Sequence, residues 1–67
     1  MIHLHDLTLA DIGRWVVYRD RFSSVEGRLK GWNQSLIWVV YKCNGQWDRY
    51  FDFTAAPTDP KDLEFKE

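Results

Sequence analysis

The sequence predicts an all-β protein, mainly antiparallel: a small barrel of four or five strands with one or two short helical turns. Three observations lead there. β-Branched and aromatic residues gather in short runs, Arg14 to Arg19 (RWVVYR) and Leu36 to Tyr41 (LIWVVY) among them. Asn44-Gly45 follows the second run and is a strong tight-turn signal, because a type I′ turn needs positive φ at both central positions. Beyond Phe53 the chain turns breaker-rich, with Pro57 and Pro60, which leaves room for one turn of helix before a last short strand.

A chain of 67 residues makes one domain, close to the lower limit for a fold without staples, so its core must be dense in large side chains. Four Trp, three Tyr and four Phe supply that density. A net charge of -1 with 28% charged residues fits a soluble globular protein and argues against bulk electrostatic binding to DNA. The single cysteine, Cys43, excludes an intrachain disulfide and the paired CxxC metal patterns, and a reducing cytoplasm is the natural setting. MIHLHDLTLADIG carries acids and histidines where a signal peptide wants a basic start and an apolar run. The run Leu36 to Tyr41 is far short of the roughly 20 residues that cross a bilayer.

In order along the chain, residues 2 to 5 alternate Ile, His, Leu, His, as an edge strand or as an arm laid over the barrel. Thr8 to Asp11 has the spacing of a capping box and Gly13 supplies a stop, so one helical turn is expected there. Residues 1–12 are then an N-terminal arm and 14–65 the barrel, within a single domain 1–67. Arg14 to Arg19 is the first strand. Counting outward from Asn44-Gly45 makes a hairpin that pairs Val40 with Arg49 and Trp38 with Phe51. Counting from a turn at Asn33-Gln34 pairs Leu29 with Trp38 and Gly27 with Val40. Both counts put Val25, Leu29, Leu36, Trp38, Val40, Trp47, Phe51 and Phe53 on a core face, with Arg49 the misfit. A one-residue slip would bury Asp48 and Asp52, so the pattern favours this register. The glycines Gly27 and Gly31 make room for large neighbours. Asp59 caps a turn beginning at Pro60, and Leu63 to Phe65 makes the last strand. A meander in the middle and a single turn before the last strand describe an SH3-like barrel; an OB-type barrel wants a longer chain and a helix between its third and fourth strands.

The run Gly27-Arg28-Leu29-Lys30-Gly31-Trp32-Asn33, then Val39-Val40-Tyr41-Lys42-Cys43, Trp47-Asp48, Thr54-Ala55-Ala56 and Asp62-Leu63, resembles a group of short uncharacterised bacteriophage and prophage proteins. The resemblance covers roughly residues 11 to 64 and implies an SH3-like barrel in a bacterial host cytoplasm. It implies no activity and assigns no catalytic residue.

Candidate chemistry is thin. His3 and His5 with Asp6 make an HxH pattern, but two ligands near a terminus are poor evidence of metal. Cys43 has no histidine nearby in sequence to act as a base. On a strand, Asp48 and Asp52 would stand about 13 Å apart and open to water. No catalytic residue, metal or cofactor is expected, and the chain reads as no enzyme. The better candidate is the face opposite the expected core, where Arg28, Lys30, Trp32, Val39, Tyr41, Asp48 and Tyr50 would form an exposed patch of hot-spot residue types. Two plainer readings stand beside it: an ordinary sheet exterior, or a face covered by Ile2 and Leu4 of the arm. The expected function is a non-enzymatic binding module, monomer or homodimer, that docks on a host protein such as a defence factor, or on its own copy. The alternative is nucleic-acid or nucleotide binding, with Arg14, Arg28, Lys30, Tyr41 and Tyr50 as a stacking platform; Glu26, Asp48 and Asp52 on the same face weigh against it. An aromatic cage for methylated lysine would need three rings converging at one barrel end.

Overall fold

RWVVYR does form the first strand, β1 (Trp15–Arg19), and a tight loop returns the chain antiparallel into the long β2 (Ser24–Trp32). The loop is built by Asp20, whose carboxylate accepts from the Phe22 and Ser23 amides at 2.7 and 2.9 Å. Those two amides hold the Asp20 carboxyl below its ordinary value of 3.8. β3 (Ile37–Val40), β4 (Ala56–Thr58) and β5 (Leu63–Phe65) complete one antiparallel sheet in the order β4-β3-β2-β1-β5. Residues 1–66 are described in this computed structural model. Among the described residues, three single-turn 3-10 segments, Leu4–Asp6, Leu9–Asp11 and Pro60–Asp62, and a two-turn one, Trp47–Asp52, kinked at Arg49, stand in place of the one or two turns expected. The protein is all-β, as the sequence predicts, a five-stranded antiparallel sheet with a turn immediately before its last strand.

Closure follows from chain length. β4 and β5 are the two edges of the sheet, and a flat five-stranded sheet would hold its edges roughly 19 Å apart. Only residues 59–62 join them, and most of that link is a 3-10 turn rising about 2 Å per residue. The sheet therefore curls enough to bring its two edges within reach of that link. Asp59 caps the link as expected, accepting from the Lys61 amide at 3.0 Å, with Pro60 at the first position. The arm seals the seam: the Ile2 amide donates to Pro60 O at 3.0 Å and the Ile2 side chain is buried in the barrel. Residues 2–5 are thus an arm and not an edge strand. Asp11 reaches back to the Thr8 amide at 2.9 Å, one arm of the expected capping box, and with Arg14 beside it its carboxyl is also held low.

Three expectations about the middle of the chain are overturned. The Asn44-Gly45 turn forms, with φ of 53° and 78°, but no hairpin follows it. Residues 47–52 wind as 3-10 turns instead of a strand, and the strand that pairs with β3 is Ala56–Thr58, where Pro57 is tolerated because β4 is an edge. The side-chain pattern explains the choice. Trp47, Tyr50 and Phe53 are spaced by three, the period of a 3-10 turn, and all three pack on one cluster with Val40 and Cys43. Asp48, Arg49, Phe51 and Asp52 then point to solvent. Arg49, a misfit in the alternating strand pattern, is no misfit here.

The second correction concerns the turn before β3. Asn33 accepts from the Ser35 and Leu36 amides at 2.8 and 2.7 Å, an Asx-type arrangement that lengthens the loop and leaves Trp32 opposite Ile37.

The third is the register. Between Leu29 and Gly31 the β2–β3 ladder shifts by one, so Arg28 pairs with Val40 and Leu29 with Val39, whereas Gly31 pairs with Trp38. Lys30 is the extra residue of this bulge. It lets Leu29 and Trp32, three apart, share one face with Ile37 and Val39. The barrel core is Ile2, Val16, Leu29, Ile37, Val39 and Leu63, with Tyr18, Trp32, Tyr41 and Phe65 packed against it. Of the expected core face, Leu29 alone is in that cluster, and Val25 and Phe51 are 42% and 51% exposed. The expected free face is instead partly interior, since Ile37 and Val39 are fully buried and Tyr50 is 8% exposed.

Gly27 sits where the curled sheet is tightest. A Cβ there would stand 2.6 Å from Val39 Cγ1 and 2.7 Å from the Val40 carbonyl oxygen, and the second of these is backbone that cannot swing away. At Gly31 an added Cβ meets nothing within 4 Å. Gly27→Ala should therefore lower stability by about 1–3 kcal/mol in urea unfolding, while Gly31→Ala stays within roughly half a kcal/mol of wild type. Equal effects at the two glycines would contradict this core.

Candidate functional site

Two cations project from the outer face of β2, and both are held by the chain itself. Arg28 Nε donates to Gly13 O at 2.8 Å and its guanidinium nitrogen to Trp47 O at 2.9 Å. The same guanidinium lies 4.6 Å from the Tyr50 ring centroid and 5.5 Å from that of Trp15. Trp15 in turn meets Trp47 at 4.7 Å between centroids. Lys30 Nζ donates to Phe53 O at 2.9 Å and sits 5.7 Å from the Phe51 ring. These contacts fasten the 47–53 segment over the outside of the sheet and close the second cluster, in which Cys43 is buried. Hydrogen bonds from a charged donor typically contribute about 1.5–3 kcal/mol each, so Arg28 and Lys30 act first as fasteners.

The seven residues expected to bind a partner are thereby dispersed. Val39 is inside the barrel, Tyr50 is buried on the inner side of the 47–53 segment, and Arg28 and Lys30 are bonded to carbonyls. Asp48 is exposed on that segment. Trp32 and Tyr41 are half-buried but reach open concavities. Trp32 lines a hollow of about 480 Å³ with Lys30, Gly31, Trp38, Thr54 and Ala55.

Tyr41 lines the other, a groove of about 360 Å³ whose wall is completed by Tyr18, Ala56, Pro57, Thr58, Asp59 and Asp62. Each wall has a structural cause. Tyr18 and Tyr41 meet edge to face at 6.2 Å across the mouth of the barrel. The Thr58 hydroxyl donates to Ala56 O at 3.3 Å, so its oxygen is left to accept from the Tyr41 hydroxyl at 2.8 Å, which fixes the ring. Burial, with the neighbouring Tyr18 adding to it, pushes the Tyr41 phenol above its usual 10.0. Pro57 is exposed on the edge strand, and the Pro60–Asp62 turn brings Asp59 and Asp62 to the rim. Among the described residues Asp59 has one cation nearby, Lys61 at 3.9 Å with both side chains largely exposed, and Asp62 has none within 4.0 Å. Sequence reasoning reached only Tyr41. Tyr18, Pro57, Asp59 and Asp62 lie on separate segments, and no spacing in the chain announces that they converge.

Other candidates stay apart. His3 and His5 are exposed, with His5 3.5 Å from Asp6, and no group of three or more His, Cys, Asp or Glu is placed to hold a metal among the described residues. No helix there is long and apolar enough to cross a membrane. Comparison of the chain with family models, curated proteins and solved structures returns no match.

Arg28→Met keeps the aliphatic stem and removes both carbonyl contacts, and should lower stability by about 3 kcal/mol or more. The Cys43 thiol should react with a disulfide reagent under native conditions at a slow, opening-limited rate that rises in this variant. Fast labelling of the wild type would contradict the closed second cluster.

Proposed function

We propose that this protein is a non-enzymatic binding module, a phage or prophage accessory factor acting in the host cytoplasm by docking on a host protein, a defence factor among the candidates, or on its own copy. The observation that carries this reading is the groove between Tyr18 and Tyr41. It combines an aromatic floor, apolar Ala56 and Pro57, and polar groups at one rim, on a scaffold that holds each ring by packing and hydrogen bonding. The former candidate patch supports the reading through Tyr41 alone. A groove on rigid strands suits recognition because little ordering entropy is lost on binding.

Ala56 is exposed and lines the groove without entering the core, so Ala56→Arg should fill the site and leave the melting temperature within a few degrees of wild type. A partner crosslinked and identified from bacterial lysate with the wild-type chain should be lost with this variant, and self-association in sedimentation should be lost likewise if the partner is a second copy. Retention of the partner by the folded variant would refute the groove as the docking site.

Nucleic-acid binding stands as the second reading, supported by the hollow where Trp32 and Trp38 lie beside Lys30. Binding of a single-stranded oligonucleotide should then quench tryptophan fluorescence, weaken steeply with salt and fail in Trp38→Ala. No quenching at low salt would eliminate it.

A further inference from the structure

The groove sets carboxylates beside aromatic rings in one concavity. On the sheet and just before it, Glu64 pairs with Arg19 at 3.0 Å, Glu26 with Lys66 at 2.7 Å and Asp11 with Arg14 at 3.0 Å, while Asp48 and Asp52 stand exposed on the 47–53 segment, away from the groove. Both cations of the outer β2 face donate to carbonyl oxygens. Two carboxylates, Asp59 and Asp62, stand on the rim of a concavity floored by two tyrosine rings, and Lys61, the cation nearest Asp59, stays 3.9 Å from it in solvent.

Aromatic faces attract cations, and carboxylates beside them fix the charged head while the rings cover an aliphatic stem. Anionic ligands meet the opposite field. Resting on the reading of this groove as a docking surface, we infer that it selects a basic side chain, arginine above all, presented by a segment of a protein partner. Arginine fits better than lysine because its planar guanidinium both stacks on a ring and donates to carboxylates in a fork. Pro57 and Ala56 offer the flat apolar ledge on which the flanking backbone of such a segment lies. The two rings do not make the three-sided cage that a fully methylated ammonium requires, so an unmodified guanidinium with its hydrogen-bond donors is the better match.

The test uses two synthetic peptides, acetyl-Ala-Arg-Ala-amide and the same peptide with citrulline, the neutral isostere of arginine. Each is titrated into the full-length chain labelled with nitrogen-15. The arginine peptide should give saturable amide shifts confined to Tyr18, Tyr41 and the non-proline residues of 56–62, and should bind about tenfold more tightly than the citrulline peptide. Asp59→Asn with Asp62→Asn should abolish that preference, and since asparagine caps a turn as well as aspartate, the fold should be kept. Equal affinity for the two peptides would overturn the choice of a cation and leave the groove itself standing. Absence of saturable shifts with the arginine peptide would overturn it also, and the fate of the docking surface would then rest on Ala56→Arg alone.

Discussion

One extra residue in β2 decides which face of β3 is inside. Without the bulge at Lys30, a regular ladder would put Leu29 and Trp32 on opposite faces, and one of them would leave the core. With it, both join Ile37 and Val39 in the barrel, and Trp38 and Val40 turn outward. The bulge also puts Lys30 and Gly31 together on the outside, facing Trp38. A small barrel has little core to distribute, so the side on which two β-branched residues and a tryptophan sit governs most of the apolar burial.

The outward turn of Val40 creates a second demand. An apolar residue on the outer face needs cover, and the 47–53 segment supplies it through Trp47, Tyr50 and Phe53. Arg28 and Lys30 hold that cover by bonding its carbonyls, with the Arg28 guanidinium also against Tyr50 and Trp15. Bulge, cover and fasteners are consequences of one register. The two basic residues that a linear reading places on a binding face are therefore the ones most committed to the fold.

Local chemistry was legible in the chain and long-range pairing was not. The Trp15–Arg19 strand, the Asn44-Gly45 turn, the Asp59 cap ahead of Pro60 and the Asp11 contact to Thr8 each depend on a few neighbouring residues whose preferences agree. The all-β class and the antiparallel strand order follow from how few residues connect those elements. The register escaped because two turn counts agreed with each other while sharing an assumption of regular, alternating strands. Asn33 lengthened one loop with its side chain, and the Asn44-Gly45 turn led into 3-10 winding. Arg49 among the would-be core residues was the visible sign of the wrong period. Trp47, Tyr50 and Phe53 at intervals of three were the signal for the right one. The cover provided by Ile2 and Leu4 was readable as an alternative because an exposed apolar face next to an apolar arm invites it.

The candidate site was the least legible part because it is assembled from chain segments that the closure of the sheet brings together. Tyr18 comes from β1, Tyr41 from the end of β3, Pro57 from β4 and Asp59 and Asp62 from the link that joins the two sheet edges. Curling the sheet is what sets the acids beside the rings, so the same four-residue connection that closes the barrel also writes the charge of the groove. A surface residue's meaning then depends on whether the fold has already satisfied it. Arg28 and Lys30 are basic, partly exposed and bonded to backbone carbonyls, whereas Asp62 is half-buried with no cation within 4.0 Å among the described residues. Among those residues Asp48 and Asp52 also lack a cation partner, but they stand exposed on the 47–53 segment; the carboxylate that a basic partner would answer is the half-buried one beside an aromatic wall.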